Sequence, residues 1–387
     1  MQSAERRRGV FRPGDRVQLT DPKGRHYTIS LTSDGYFHST RGSFAHSELI
    51  GKPEGSVIDT KEGKHFLALR PLQSDYVLSM PRGATVIYPK DAAQIVHQAD
   101  IFPGARVFEA GLGSGALSLA LLAAVGEHGS LTSVERRPEF AQIGVANVVS
   151  WYGAFPSWWD VQSGEAEEIL HGLRDLDVVV LDMLAPWELV APAADALRAG
   201  GVIIAYITTT TQLSRFVEQL RTSHAFTEPE ANETLQRSWH VQGLSVRPNH
   251  QMVGHTGFLA MSRRLAVTGC ELTPTRRPAP AAQSEGWTWD GIDFSDLEDR
   301  APTPKKLRRI RRDIAHRADV EEGGTTKPGA HFAAMAAQLD EEIRASHNTQ
   351  SHRHTESSAS APAAAADSGA LTKNEETHTE ISEKLGK

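Results

Sequence analysis

Between residues 105 and 207 the chain alternates short apolar runs with longer segments whose apolar positions recur every three or four residues. The runs at 105–109, 130–135, 178–182 and 201–207 are rich in Val, Ile, Leu and Ala and predict buried strands. Segments 116–125, 138–150 and 189–199 carry helical spacing. Near-continuous apolar strands separated by helices predict a parallel sheet covered on both faces, a doubly wound α/β fold of Rossmann-like type. Upstream the period changes. Residues 16–20 and 26–31 alternate as strands do, around the turn Asp21-Pro22-Lys23-Gly24, with further turn signals at Asp34-Gly35 and Pro53-Glu54-Gly55. The pattern therefore predicts a small β-rich N-terminal domain over 11–71 and an α/β domain over 72–268.

Beyond residue 268 the periodicity fades into stretches such as PTRRPAPAAQSEG, GGTTKPGA and SSASAPAAAADSGALTKNEETHTE. Segments this rich in Pro, Ala, Ser and charge bury too little apolar surface to offset chain entropy, so 269–387 is expected to be a mostly disordered tail. Two islands interrupt it: the aromatic and acidic 287–297 (WTWDGIDFSDL) and the cationic 305–312 (KKLRRIRR). The cationic block reads first as a solvated segment and second as an arm that contacts phosphates.

Composition narrows the class. The 387 residues, 39% hydrophobic, suggest about two to three units. A formal charge of −7 argues against a surface basic throughout, although a local basic patch can sit on an acidic body. The longest apolar stretch, 117–125, is far short of the roughly 20 residues a bilayer requires, so no membrane span is expected. The segment MQSAERRRGV lacks the apolar run of a secretory leader. A lone cysteine, Cys270, can form neither an internal disulfide nor a thiolate cluster, which fits a reducing cytoplasm. No zinc-ligand spacing is present, and His331, His347, His352 and His354 read as solvated tail, so no metal is expected.

Candidate chemistry begins at Glu109-Ala110-Gly111-Leu112-Gly113-Ser114-Gly115, between a strand and the apolar helix at 116–125. Glycines there let backbone N–H groups approach a ligand, and the helix N-terminus favours polar or negative groups. Glu135 ends the next strand, 24 positions past Gly111, where a carboxylate can accept both hydroxyl hydrogens of a ribose. Two cofactor classes compete at this turn. Gly111-x-Gly113-x-x-Ala116 satisfies the dinucleotide fingerprint, whereas Glu109-x-Gly111-x-Gly113-x-Gly115 fits the spacing of S-adenosylmethionine-dependent enzymes better. Ser163-Gly164-Glu165 ends a third strand with an acid suited to an adenine amine, and Asp182 ends the fourth. Ligands of open α/β sheets bind beyond such strand ends, so Asp182 is expected in the same crevice, with Pro186 and Trp187 shaping a pocket for a flat base. Capping of the next helix is the alternative role for Asp182.

Residues 11–265 resemble the bacterial and archaeal tRNA adenine-58 N1-methyltransferases, the actinobacterial branch in particular. The resemblance rests on Tyr88-Pro89-Lys90-Asp91, the Gly turn, Glu135, residues 181–188 (LDMLAPWE), Ala205-Tyr206 with Thr211-Gln212, and residues 254–259 (GHTGFL). It implies a small N-terminal β-barrel, a Rossmann-like catalytic domain, S-adenosylmethionine as cofactor, tRNA as substrate and a homotetramer. It also implies that Gly111, Gly113, Ser114, Gly115, Ala116, Leu117 and Glu135 bind the donor, with Gly164 and Glu165 near its adenine. Asp182 would serve at the target base while bordering the donor, and Tyr88 and Tyr206 would line the pocket. His255 reads as a core histidine that the resemblance moves toward that pocket. The rival readings are an NAD(P)-dependent oxidoreductase, for which no hydride-transfer acid or base is evident, and a non-catalytic RNA-binding or assembly protein.

Overall fold

Alternating side chains and tight turns build the first part of the chain into β1 (Arg16–Thr20), β2 (His26–Ser30), β3 (Tyr36–Ser39), β4 (Gly42–Ala45), β5 (Val57–Asp59) and β6 (His65–Leu69). The computed structural model describes residues 7–267, 305, 308–310 and 312. Every described residue belongs to one unit of the chain. Most of the expected tail, including the island at 287–297, thus lies outside the described residues. Within the cationic block, Ile310 is buried while Lys305, Arg308, Arg309 and Arg312 are exposed.

The N-terminal strands form an antiparallel sheet in the order β2-β1-β6-β5, with β3 and β4 paired as a separate hairpin. One core joins them: Phe11, Val17, Leu19, Phe37, Phe44, Ile58 and Phe66 are all buried. Phe37 and Phe66 meet edge-on at 5.4 Å, an arrangement the aromatic quadrupole favours. Each such ring contributes about 1.5–3 kcal/mol by burial, which a module this small requires. Arg16 ties the module to the α/β domain, its guanidinium lying 4.5 Å from the Tyr76 ring centroid and bonding Ser150.

Short helices α1 (Gln73–Ser79) and α2 (Pro89–Gln98) lead into β7 (Arg106–Ala110). Then come α3 (Ala116–Val125), β8 (Ser130–Glu135), α4 (Pro138–Tyr152), β9 (Trp159–Ser163), α5 (Ala166–His171), β10 (Leu176–Leu181), α6 (Val190–Ala196) and β11 (Leu197–Ile207). The chain continues through α7 (Thr210–Thr222), β12 (Glu230–Asn232), the hairpin β13 (Trp239–Gln242) and β14 (Ser245–Pro248), and β15 (Phe258–Arg263). The seven-stranded sheet runs β12-β15-β11-β10-β7-β8-β9. Strands β7 to β11 are parallel, and β15 and β12 add antiparallel pairs at one side. From β7 the chain first builds outward through β8 and β9, then crosses to β10 and β11. The switch in direction opens a crevice at the carboxyl ends of β7 and β10.

The expected elements are present with one instructive difference. Residues 189–199 read as one helix, yet α6 stops at Ala196 and Leu197 pairs with Leu176 of β10. Strand pairing overrides the high helix propensity of Leu197, Arg198 and Ala199, and Gly200, at φ 80°, accommodates the turn in the strand.

Candidate functional site

Beyond β7 the chain must turn sharply between two packed layers, and the three glycines of the turn do different work. Gly111 has φ 94°, and a Cβ there would lie 2.0 Å from the Asp182 carbonyl oxygen. Gly115, at φ 78°, starts α3, and its Cβ would lie 2.8 Å from the Gly144 carbonyl oxygen. Both positions need glycine because backbone packs on backbone. Around Gly113, at φ 52°, a Cβ would meet nothing nearer than Ala84 at 3.6 Å. That is the open side of the turn, where a ligand can approach the main chain.

Glu135, buried at the end of β8, accepts hydrogen bonds from the Gly113 N–H at 2.9 Å and from Arg137 N and Nε at 3.1 and 3.2 Å. It therefore holds the turn in shape; Oε1 already takes both Arg137 donors, while Oε2 takes only the Gly113 N–H and keeps a lone pair for a ribose hydroxyl. Ser114 is buried and committed through its hydroxyl to Gly83 N and Ala84 N, both at 3.2 Å. Ala116 and Leu117 turn their side chains into the core. These three can meet a ligand through main-chain groups alone. Gly164, next to Glu135 across the β8–β9 edge, donates its N–H to the Glu135 carbonyl at 3.3 Å, and Glu165 is an exposed carboxylate at the start of α5.

Two residues support the turn from beneath: Asn147, which sequence spacing does not single out, and Glu109, which opens the Gly motif. The Asn147 amide donates to Ser114 O at 2.9 Å and Pro81 O at 2.8 Å, joining α4 to the turn and the segment before α2. Glu109 is fully buried: Ser118 and Ser133 donate to its Oε2 at 2.7 and 2.6 Å, and its Oε1 has no hydrogen-bond partner. Burial pushes its carboxyl up to about 8; the serine hydrogen bonds oppose this, and the charges of Asp182 and Glu135 add to it. Glu109 thus keeps its proton at neutral pH. The motif spacing marks Glu109 in the sequence, but not that it is enclosed.

Asp182 follows β10, half-buried, with its N–H donated to Ala110 O at 2.8 Å. It caps no helix, since the next helical turn, Pro186–Leu189, begins after Ala185. Gln212 fixes the loop from the far side, donating to Leu184 O at 2.8 Å, and its own N–H is held by the Thr209 hydroxyl. Pro186 and Trp187 depart from expectation. Both are buried, Trp187 belongs to the apolar core, and Arg215 stacks 4.2 Å from its ring centroid. They brace the loop rather than hold a base, because an apolar surface of that size is worth more in the core than at a pocket mouth.

Tyr88 precedes α2, and Pro89 opens the helix, where a missing N–H costs nothing. Tyr206, near the end of β11, donates its hydroxyl to Thr256 O at 2.6 Å, and its ring lies against Gly257 so closely that a Cβ there would approach Cζ to 2.5 Å. Burial pushes the Tyr206 hydroxyl up to about 12; its hydrogen bond to Thr256 opposes this, while Asp91, Asp182 and Tyr88 add to it. The tyrosines and Asp182 thus share one electrostatic neighbourhood. His255 is not a core residue. It is exposed in the loop before β15, with Nδ1 2.8 Å from Glu233 Oε2, and this contact raises its pKa. Among the described residues no cluster of His, Cys, Asp and Glu suits a metal ion, and no helix is long and apolar enough to cross a membrane.

A parallel sheet interrupted by the antiparallel β15, and a Gly turn flanked by acids at the ends of β8 and β10, defines a Rossmann-like methyltransferase. A solved S-adenosylmethionine-dependent O-methyltransferase from Thermotoga maritima matches with a TM-score of 0.63 and 29% identity, over 66% of this chain and 95% of its own. The tRNA (m1A58) methyltransferase TrmI from Aquifex aeolicus shares the fold, with a TM-score of 0.59 and 24% identity over 67% of this chain and 100% of its own. The TrmI-like N-terminal family matches residues 9–58, and the family described as tRNA methyltransferase complex GCD14 subunit matches 65–247. The tRNA (adenine(58)-N(1))-methyltransferase TrmI of Thermus thermophilus is 37% identical over 251 residues, 64% of this chain and 95% of the relative. Its counterpart in Methanocaldococcus jannaschii, named for adenines 57 and 58, is 30% identical over 63% of this chain and 93% of the relative. The chain belongs to the TrmI family of tRNA (adenine-N1)-methyltransferases.

Proposed function

We propose that this protein transfers a methyl group from S-adenosylmethionine to N1 of adenine 58 in the T-loop of tRNA. The observation that carries the reading is Asp182, seated by its backbone against Gly111 at the mouth of the crevice, in a chain 37% identical to the Thermus thermophilus enzyme across nearly all of that enzyme.

The donor fits the turn. Gly113 leaves its main chain open, the Glu109 Oε1 is buried without a partner, and Glu135 retains acceptor capacity. The carboxylates of Glu135 and Asp182 beside the turn suit a ribose and a cationic sulfonium. When bound, S-adenosylmethionine supplies a methyl group activated by its positive sulfur. Glu135 would accept the ribose hydroxyls, the N–H groups around Gly113 and at the start of α3 would hold the amino-acid end, and Gly164 with Glu165 would border the adenine.

Adenine N1 already carries a lone pair, so the protein's task is alignment more than proton removal. Asp182 accepts a hydrogen bond from the N6 amine and stabilises the positive charge that grows on the base. The target base must leave its stack to reach the crevice. Tyr88 and Tyr206 offer ring surfaces for it, worth about 1–3 kcal/mol per stacked base.

The test is incubation of a tRNA transcript with labelled donor, followed by nucleoside mapping. Methylated adenosine at position 58 is expected; label elsewhere, or none, overturns the reading. Replacing Glu135 by Ala should raise the donor concentration required for activity. A homotetramer acting in the cytoplasm completes the proposal, with residues 11–71 and 72–268 as its two folded domains. The exposed apolar side chains of Trp239, Val241 and Val246 on the β13–β14 hairpin support self-association, since a lone two-stranded hairpin is marginal without a cover. Light scattering should return four times the chain mass.

A further inference from the structure

A lysine with its charge out of water needs a compensating partner and, at a functional site, invites the question of what it holds. The side chains of Lys90 and Asp91 are 4% and 2% exposed. Lys90 Nζ lies 2.6 Å from Asp91 Oδ1 and 2.6 Å from Thr256 Oγ1, and the Thr256 hydroxyl donates to Asp91 Oδ2 at 2.6 Å. The three groups close a ring of charge-assisted hydrogen bonds between the start of α2 and the loop before β15, segments 166 residues apart in sequence. The ring touches the pocket on both sides. Tyr88 is the residue from which α2 starts, its carbonyl accepting the N–H groups of Asp91 and Ala92 at 2.9 and 3.0 Å. On the other side, the Thr256 carbonyl takes the Tyr206 hydroxyl at 2.6 Å, and Gly257 backs the Tyr206 ring.

We propose that Lys90 and Asp91 are positioning residues for methyl transfer, their buried pair locking the 256–257 loop to α2 through Thr256 and so fixing Tyr88 and Tyr206 for the target base. The inference rests on the function proposed above and adds residues that touch neither donor nor base. It also assigns the chemistry of each group. Lys90 is neutralised and enclosed, so it is not a phosphate contact. The Tyr206 hydroxyl is committed to the protein, so its ring is what the substrate meets. A loose loop would shift that ring, and misplacement of about 1 Å at a reacting centre can cost about a hundredfold in rate.

Removing Lys90 or Asp91 alone would strand a buried charge and confound folding with function. The test therefore uses Thr256→Val, which removes the bridging hydroxyl at nearly constant volume and leaves the ion pair, and the double variant Lys90→Met/Asp91→Leu, which replaces both charges by apolar groups. Thr256→Ser serves as the conservative control. The expected result for Thr256→Val and the double variant is a kcat on tRNA lowered about tenfold to a hundredfold, with donor Kd within about twofold of wild type and a cooperative melting transition retained; the serine control should recover most of kcat. An unchanged kcat, a loss of kcat matched by an equal loss of donor affinity, or a serine variant as impaired as the valine variant overturns the proposal. Wild-type enzyme is assayed alongside. If it methylates adenine 58 while Thr256→Val is unimpaired, only the positioning role fails; if wild type transfers no methyl group, both readings fail.

Discussion

The α-carbon of Gly111 faces the carbonyl of Asp182 with no room for a side chain: a Cβ built there would stand 2.0 Å from that oxygen. The donor-binding turn and the acid proposed to serve the target base are thereby one packed unit, joined further by the Asp182 N–H to Ala110 O bond at 2.8 Å. Their separation is set by backbone contact, which is stiffer than any pairing of long side chains.

Gly111→Ala should therefore damage both halves of the site together. A methyl group at φ 94° is strained and also displaces the Asp182 carbonyl. We expect destabilisation of about 1–3 kcal/mol, read as a lower melting temperature, and donor Kd weakened at least about tenfold. Wild-type donor binding, measured by calorimetry, would contradict the contact.

Asp182→Ala separates the halves again. The main-chain contacts with Gly111 and Ala110 remain, while the carboxylate is lost. Methyl transfer should fall about a hundredfold to a thousandfold in kcat, the effect of losing one electrostatic partner of a developing charge, with donor affinity nearly intact. Equal losses of turnover and donor binding would mark Asp182 as a donor ligand instead.

Glu109 should tune stability with pH. Its carboxyl is pushed from an ordinary 4.5 to about 8 in the folded chain. Between those values the unfolded chain sheds a proton that the folded chain keeps, so this group's contribution is full below pH 4.5 and is lost as pH rises through 8. Glu109→Gln cannot titrate and still offers a carbonyl to Ser118 and Ser133. The melting temperature of this variant should gain on that of wild type as pH rises from 4.5 toward 8; parallel curves would refute a raised carboxyl.

Tyr206 is expected to act through its ring. Tyr206→Phe deletes the hydroxyl bonded to Thr256 O and should keep kcat within about fivefold, whereas Tyr206→Ala should raise the KM for tRNA by about tenfold or more, the worth of a lost stacking surface. A phenylalanine variant as inactive as the alanine variant would point to the hydroxyl itself.

Much of the architecture is legible in the sequence because it is written locally. Strand runs at 130–135 and 178–182, the helix at 116–125 and the turn at Asp21-Pro22-Lys23-Gly24 each follow from neighbouring residues, and all occur within a residue or two of expectation. The strand–turn–helix order likewise puts Gly111, Gly113, Glu135 and Asp182 at or just beyond strand ends, because parallel sheets direct their carboxyl ends to one side. Patterns of that range cannot report how competing burials resolve. Trp187 reads as a pocket wall and lies in the core, His255 reads as core and lies in an exposed loop with Glu233, and residues 197–199 leave a helix for a strand.

From the chain's own order of residues came the α/β class, the N-terminal β module, the Gly turn and the acids around it, since each depends on propensity and spacing over a few turns of chain. The tertiary structure alone decided that Glu109 is enclosed and holds its proton, that Asn147 steadies the turn, and that Lys90, Asp91 and Thr256 meet across 166 positions. Such pairings are chosen by desolvation: a buried polar group must find whatever partner the packed fold brings within reach, however distant that partner is along the chain.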